Sequence, residues 1–342
     1  MKTSKSISRR NFIGKAAVTA GLTALGSETV FGKSHQAEEK LPREIWIATV
    51  SQEGMSAETP EKMVQSMIDL LGRSLVYRPD VVCLPEFFMF TWINQRLTLE
   101  EKADKSGELV KEFMAFARTN RCYVICPLFS RENGKIYNAA AVIDRQGNRM
   151  GEYRKMHLPL DELEGGLTPG PLQPPVFKTD FGVIGVQICY DSNWNNGWQA
   201  LRQQGAEVVF WPSAYPGGRK INARAFENKY VVVTSTRGTS KICDITGDLI
   251  AQVSDWGRNL VCAPVNLEKV IVNSWPNSRY FDQIRKKYGR KVKITSYQEE
   301  GWTVIESLSS DVRVNDIVKE HNIRTFEQLS HETDVISAKL RI

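Results

Sequence analysis

Val183-Ile184-Gly185-Val186-Gln187-Ile188-Cys189-Tyr190-Asp191 is a short apolar run closed by a thiol and then by a carboxylate. Runs of this length, ended by polar residues, suit strands buried on both faces, as in parallel sheets. Similar runs stand at residues 45–50, 81–84, 123–129, 137–143, 208–211 and 231–235, with shorter ones at 249–253 and 260–265. Between the first two, Met63, Met67, Leu71 and Leu75, joined by Val64 and Ile68, recur at helical spacing. Thr59-Pro60-Glu61 precedes them, a capping hydroxyl followed by proline at the first helical position. Further helices are predicted over 109–120 and in the stretch that ends before Gly205. Strands alternating with helices predict an α/β layered domain. No repeat and no Gly/Ser linker divides residues 44–275, which read as one domain. The tail, 276–342, is more charged and less periodic, with one helix expected near 316–321, and reads as an extension wrapping the domain or a neighbouring subunit.

A chain of 342 residues with 42% apolar content can bury a large core. Its formal charge of +6 is concentrated at the start, where Lys2, Lys5, Arg9, Arg10 and Lys15 face Glu28 alone. The remainder is near balance and gives no reason to expect a nucleic-acid partner. The basic cluster of Arg285, Lys286, Lys287, Arg290, Lys291 and Lys293 reads as a solvated helical face. Six cysteines are too sparse for a disulfide framework and are expected to be free thiols. Cys122 and Cys126 share one predicted strand with no histidine near, so no metal is predicted. No cofactor is predicted either.

Three polar residues fall where strands should end: Glu86 after Val81-Val82-Cys83-Leu84-Pro85, Lys155 after Gly151-Glu152-Tyr153-Arg154, and Cys189 after 183–188. In open α/β sheets the carboxyl ends of strands collect ligand-binding groups. A thiol attacks as its thiolate, so a cysteine nucleophile wants a base for its proton and a positive charge beside the anion. Glu86 and Lys155 are the residue types for those two tasks. Singly, each has a bland reading, a core cysteine or a solvated strand end.

The combination resembles the nitrilase superfamily of carbon-nitrogen hydrolases. Its three signature regions stand here in order as Leu84-Pro85-Glu86-Phe87, Tyr153-Arg154-Lys155-Met156-His157-Leu158 and Gln187-Ile188-Cys189-Tyr190-Asp191. Thr168-Pro169-Gly170, Gly205-Ala206-Glu207-Val208-Val209 and Ala223-Arg224-Ala225-Phe226-Glu227-Asn228 extend the likeness over roughly residues 44–270. The resemblance implies a four-layer αββα sandwich, homo-oligomers, and a triad of Glu86 as general base, Lys155 as cationic partner and Cys189 as nucleophile. It implies an oxyanion site made by Lys155 and the Tyr190 N–H. It also implies a second, substrate-orienting glutamate before the Pro-Gly turn, for which Glu164 fits best and Glu162 is the runner-up. Asn195-Asn196 and Thr236-Arg237 depart from the family pattern. Those departures bear on the substrate and leave the triad intact.

The implied reaction is hydrolysis of a small linear amide or N-carbamoyl amine through a cysteine thioester. Glu164-Gly165 is similar to a pair in the same loop of aliphatic amidases, which favours amides over nitriles. A nitrilase or an acyltransferase would use the same triad, and a non-catalytic binding module could keep the fold. A cysteine-histidine protease is disfavoured, because His157 precedes the cysteine and reads as a structural partner of the lysine loop. Phe87, Tyr190, Trp194 and Tyr215 are candidates for a pocket wall.

Residues 1–32 have a basic start, a mildly apolar stretch over 12–25 and no acid before Glu28, the layout of a signal peptide. Ser8-Arg9-Arg10-Asn11-Phe12-Ile13 resembles the twin-arginine export signal. The expected partner is that export machinery, the expected location is the periplasm, and 33–43 reads as a linker. About 14 mildly apolar residues fall short of the roughly 20 that a membrane span needs.

Overall fold

Thr59 accepts the Lys62 N–H at 3.4 Å, and Pro60 follows it, so helix α1 (Pro60–Gly72) starts where the sequence supplies a cap. The computed structural model describes residues 41–253 and 259–341. The expected export signal, 1–32, and most of the expected linker lie outside them.

The chain enters β1 (Glu44–Val50), crosses through α1 to β2 (Val81–Cys83), and through α2 (Leu99–Asn120) to β3 (Tyr123–Glu132). It continues by hairpin turns into β4 (Lys135–Ile143) and β5 (Arg149–Arg154). After the short helix α3 (Leu160–Glu164) come β6 (Val176–Lys178), β7 (Val183–Val186), α4 (Asn196–Gln203), β8 (Val208–Ser213), α5 (Gly218–Asn228) and β9 (Val231–Thr236). Then follow β10 (Lys241–Cys243), β11 (Leu249–Gln252) and β12 (Leu260–Asn266). The strands form two six-stranded sheets, in the orders β12-β1-β2-β3-β4-β5 and β11-β10-β9-β8-β7-β6.

Alternation along each strand decides the layers. Ile45, Ile47, Val81, Cys83 and Ile125 meet Ile184, Val186, Val208, Phe210, Val231 and Val233 in one core between the sheets. The intervening residues Ala48, Val50, Val82 and Val124 turn outward onto Met63, Met67 and Leu71 of α1 and Phe113 of α2. On the other side Val209, Trp211 and Val232 pack on Trp198 and Leu201 of α4 and Ile221 and Ala225 of α5. The result is the αββα sandwich.

Helix α2 begins at Leu99 and not at 109. Thr98 and Glu101 form a reciprocal cap, with each side chain taking the other residue's backbone N–H. The chain from 269 onward, which takes in the expected tail 276–342 and starts before it, is more regular than its sequence suggests. Strand β13 (Lys269–Asn273), helix α6 (Ser274–Tyr288), β14 (Val292–Tyr297), β15 (Trp302–Ser307), α7 (Val314–Glu320) and α8 (Phe326–Leu340) follow in order. The strands make an antiparallel sheet, β13-β15-β14, with its own core of Val272, Phe281, Ile284, Ile305, Ile317 and Val318. All six cysteines are free thiols.

Candidate active site

The two sheets are tied together at one edge by buried hydroxyls. Ser235 donates to the carbonyls of Val50 and Cys83 at 2.8 and 3.0 Å, and Thr49 donates to Thr234 O at 2.6 Å. Ser51 and Thr236 bridge in parallel, so the carboxyl ends of β1, β2 and β9 meet. Strands β7, β8 and β9 run parallel to one another. Glu86, just after β2, and Cys189, just after β7, are therefore delivered to the same edge from different sheets.

Glu86 is 1% exposed and Lys155 is 0% exposed, which makes their contact a fully desolvated ion pair. Lys155 Nζ donates to Glu86 Oε1 at 2.9 Å and to Glu162 Oε1 at 2.6 Å. Asn138 Nδ2 donates to the same two carboxylates, at 2.8 Å to Glu86 and 3.3 Å to Glu162. The Ala214 N–H, just past β8, donates to Glu86 Oε2 at 2.9 Å. Buried charge is tolerated where it is paired and hydrogen-bonded, and the Glu86 carboxylate takes three donors spread over both oxygens. Burial works against the Lys155 ammonium, but the Glu86 and Glu162 carboxylates outweigh it and hold the group above its ordinary range. Burial, opposed by Lys155, raises the Glu162 carboxyl above its usual range.

Lys155 is fixed through its backbone as well. Its N–H donates to Asn138 O, and its carbonyl accepts the Gly170 N–H, both at 2.8 Å. A Cβ on Gly170 would lie 2.3 Å from Arg154 O, so the Thr168-Pro169-Gly170 segment can pass this close only with glycine there.

Cys189 is buried and holds φ at 44°, a left-handed conformation that costs a non-glycine residue about 1–3 kcal/mol. Its neighbours impose that turn. Trp211 Nε1 donates to Cys189 O at 3.2 Å, while Asp191 Oδ2 accepts the Ile188 N–H at 2.9 Å. The same Asp191 carboxylate takes the Tyr153 hydroxyl at 2.6 Å and the His157 N–H at 2.8 Å, and His157 Nδ1 lies 3.0 Å from it. His157 also stacks on Trp194, with ring centroids 4.2 Å apart. His157 is thus a structural partner of the lysine loop, as its position predicts. Burial and the Glu86 carboxylate push the Cys189 thiol up to about 12, against the pull of Lys155 and of hydrogen bonds from Ser213 and Ala214. The expected cationic stabilisation of a thiolate is present and is outweighed, so the resting group is the thiol.

One expectation is corrected. Glu164 is exposed and Glu162, on the same short helix α3, reaches Lys155 and Asn138. Side chains two positions apart on a helix point to nearly opposite faces, so only one of the pair can enter the cluster. Asn138 was not singled out by the sequence reading, although an amide inside the apolar run 137–143 is a signal, because a buried amide needs partners. Tyr190 lies in the first turn of the 3-10 helix Cys189–Asn193, where N–H groups have no intrahelical acceptor. Phe87 follows Glu86 with φ at 57° and stacks on Phe129 at 4.8 Å. Tyr190 and Trp194 pack edge to face beside the cysteine turn, and Tyr215 reaches Ser192 Oγ at 2.7 Å.

A sandwich of two sheets between helices, with a buried thiol, carboxylate and ammonium at one sheet edge, defines a class of cysteine-containing α/β protein. The carbon-nitrogen hydrolase family model matches residues 47–272, and the chain belongs to that family, a branch of the nitrilase superfamily. Mouse deaminated glutathione amidase is 29% identical over 217 residues, covering 54% of this chain and 67% of that protein. Arabidopsis thaliana beta-ureidopropionase is 30% identical over 214 residues, covering 57% and 52%. The Drosophila melanogaster fusion protein of nitrilase and fragile histidine triad is 28% identical over 244 residues, and there the chain spans only 53% of its relative. Among solved structures, an amidase from Nesterenkonia sp. superposes with a TM-score of 0.58 at 19% identity, covering 65% of this chain and 90% of that one. A carbon-nitrogen hydrolase from Helicobacter pylori G27 gives 0.59 at 19%, covering 72% and 93%. These likenesses show the fold.

Proposed function

We propose that the protein hydrolyses the carbon-nitrogen bond of a small linear amide or N-carbamoyl amine, with Cys189 as nucleophile, Glu86 as general base and Lys155 as electrostatic partner. The observation that carries this reading is the desolvated Glu86–Lys155 pair, 2.9 Å apart and braced by Asn138 and Ala214, beside a cysteine held in a left-handed turn. A thiol whose pKa stands near 12 is a poor nucleophile at neutral pH until a base removes its proton, which makes a neighbouring carboxylate necessary.

Glu86 takes the Cys189 proton as Sγ bonds to the carbonyl carbon. The oxyanion that forms faces Lys155 Nζ and the Tyr190 N–H, donors of a kind worth about 3 kcal/mol each in comparable sites. The carbon-nitrogen bond breaks, the nitrogen leaves with the proton held by Glu86, and a thioester remains on Cys189. Water that gives its proton to Glu86 then attacks the thioester, releasing the acid and restoring the thiol. Glu162 and Asn138 act as positioning groups that hold Lys155 and Glu86 in register. The relatives just described, an amidase and a ureidopropionase, support amide over nitrile chemistry.

The test is ammonia release from a panel of linear amides, ureido acids and nitriles by the purified wild type and by Cys189→Ala. The wild type is expected to release ammonia from amides, with Cys189→Ala silent and its far-UV spectrum unchanged. Undiminished release by Cys189→Ala would remove the thioester mechanism.

A further inference from the structure

A cavity of about 420 Å³ lies beside the Lys155 cluster, between the first turn of α2, helix α3 and the end of β9. Glu162 belongs to both, lining the cavity and bonding to Lys155. One wall is aromatic: Phe87 stacks on Phe129 with centroids 4.8 Å apart, and Phe90 tilts against the same ring at 5.6 Å. The opposite character comes from Arg237 and Lys102.

Arg237 follows Thr236, which pairs with Ser213, and Ala214 beyond Ser213 is the residue whose N–H holds Glu86. The guanidinium therefore stands on the strand next to the Glu86 contact, at the same sheet edge. It is half-buried, and its Nε is buried with no hydrogen-bond partner. Among the described residues Arg237 makes no ion pair, and neither does Lys102. Arg145 and Arg154, also half-buried, each hold two carboxylates. A guanidinium cannot shed its charge, and its planar fork matches a carboxylate. A permanently charged guanidinium that lines a cavity, with no carboxylate on it among the described residues, is completed by an anion.

We infer that this cavity is a carboxylate subsite. Arg237, with Lys102 in support, receives the charged end of a linear amide or ureido compound while the aromatic wall covers its methylene chain. The inference rests on the amide-hydrolase reading, and it names the substrate class as anionic. Asp161 also lines the cavity but is exposed, whereas Arg237 is half-buried and stands at the sheet edge that carries the Glu86 contact. Recognition of an amine by Asp161 is the contrary outcome.

The experiment compares glutaramate, its uncharged analogue pentanamide and the cationic 5-aminopentanamide as substrates of the full chain. A separate arm measures protection of Cys189 by glutarate against iodoacetamide. Wild type is expected to favour glutaramate over pentanamide about 10- to 100-fold in kcat/KM, the range of a charge-assisted contact. Arg237→Met should bring that ratio close to one and Arg237→Lys should restore part of it, with a smaller drop for Lys102→Met. Glutarate should slow alkylation of wild type and not of Arg237→Met. A ratio near one in wild type, an unchanged ratio in Arg237→Met, or preference for 5-aminopentanamide overturns the subsite. If no amide is turned over, protection decides: protection lost in Arg237→Met keeps the subsite and removes the hydrolase reading, and no protection in wild type removes the subsite too.

Discussion

Glu162 and Glu164 share one turn of α3, and the phase of that turn sends the first to Lys155 and the second to solvent. Replacing Glu162 by Gln removes a negative charge that helps keep Lys155 protonated and pointed at Glu86. A charge-assisted hydrogen bond of this kind is worth about 1.5–3 kcal/mol, so kcat/KM should fall roughly 10- to 100-fold. Glu164→Gln should stay within about twofold, as exposed substitutions do. Equal losses in the two variants, measured on the amide the wild type hydrolyses, would return the role to Glu164. The sequence made both glutamates candidates because their spacing from the Pro-Gly turn is similar, and helix phase over five residues cannot be read without the packing. Glu86 and Cys189 were legible because each closes an apolar run, whereas Lys155 follows the polar stretch Gly151-Glu152-Tyr153-Arg154 and was legible through the signature region around it. Thr236-Arg237 stood out because threonine replaces the asparagine of the family's Asn-Arg, while Arg237 itself matches; its unpaired Nε is a property of three-dimensional burial.

Asp191 binds two elements that are far apart in sequence, the loop after β5 and the turn after β7. Its carboxylate collects the Tyr153 hydroxyl, the His157 N–H and the Ile188 N–H, and it is itself fully buried. Asp191→Ala leaves those donors without an acceptor in a dry interior, at about 1–3 kcal/mol for each. Shared relaxation makes such losses less than additive, and a total of about 3–5 kcal/mol is expected. The measurement is the urea midpoint followed by tryptophan fluorescence; a midpoint unmoved from wild type would show that the hub does not hold the cysteine turn. At this scale the long elements were readable because their periods are strong. Strands β6 and β10 are three residues each, too short to show alternation, and the start of α2 was missed because polar and charged residues fill its first turns. Its signal was the Thr98/Glu101 cap, which is legible in sequence once the pattern is sought.

The tail sheet carries its own core, so what fastens it to the sandwich must lie at the boundary, and Lys229 is placed there. It caps α5 with φ at 58°, and its Nζ donates to Phe226 O. The ammonium lies 3.3 Å from the centroid of Trp302 in β15, 4.3 Å from Phe226 in α5 and 5.4 Å from Phe326 at the start of α8. Burial lowers its pKa to about 8, which still leaves most of it cationic at pH 7, and aromatic faces attract a cation. One charge thus joins the sandwich to two elements of the tail. Lys229→Met keeps the stem and removes the charge, a loss of about 1–2 kcal/mol for a partly desolvated cation between rings. Because the contact is local, it should appear as faster amide hydrogen exchange in β15 and the first turns of α8, by roughly 5- to 30-fold at neutral pH. Amides of β7 and β8, whose contacts lie within the sandwich, should keep their protection. Exchange that rises equally in all four elements would mean that the tail and sandwich open as one unit and that Lys229 is not a separate fastening; exchange unchanged in α8 would mean that its packing holds it without the cation.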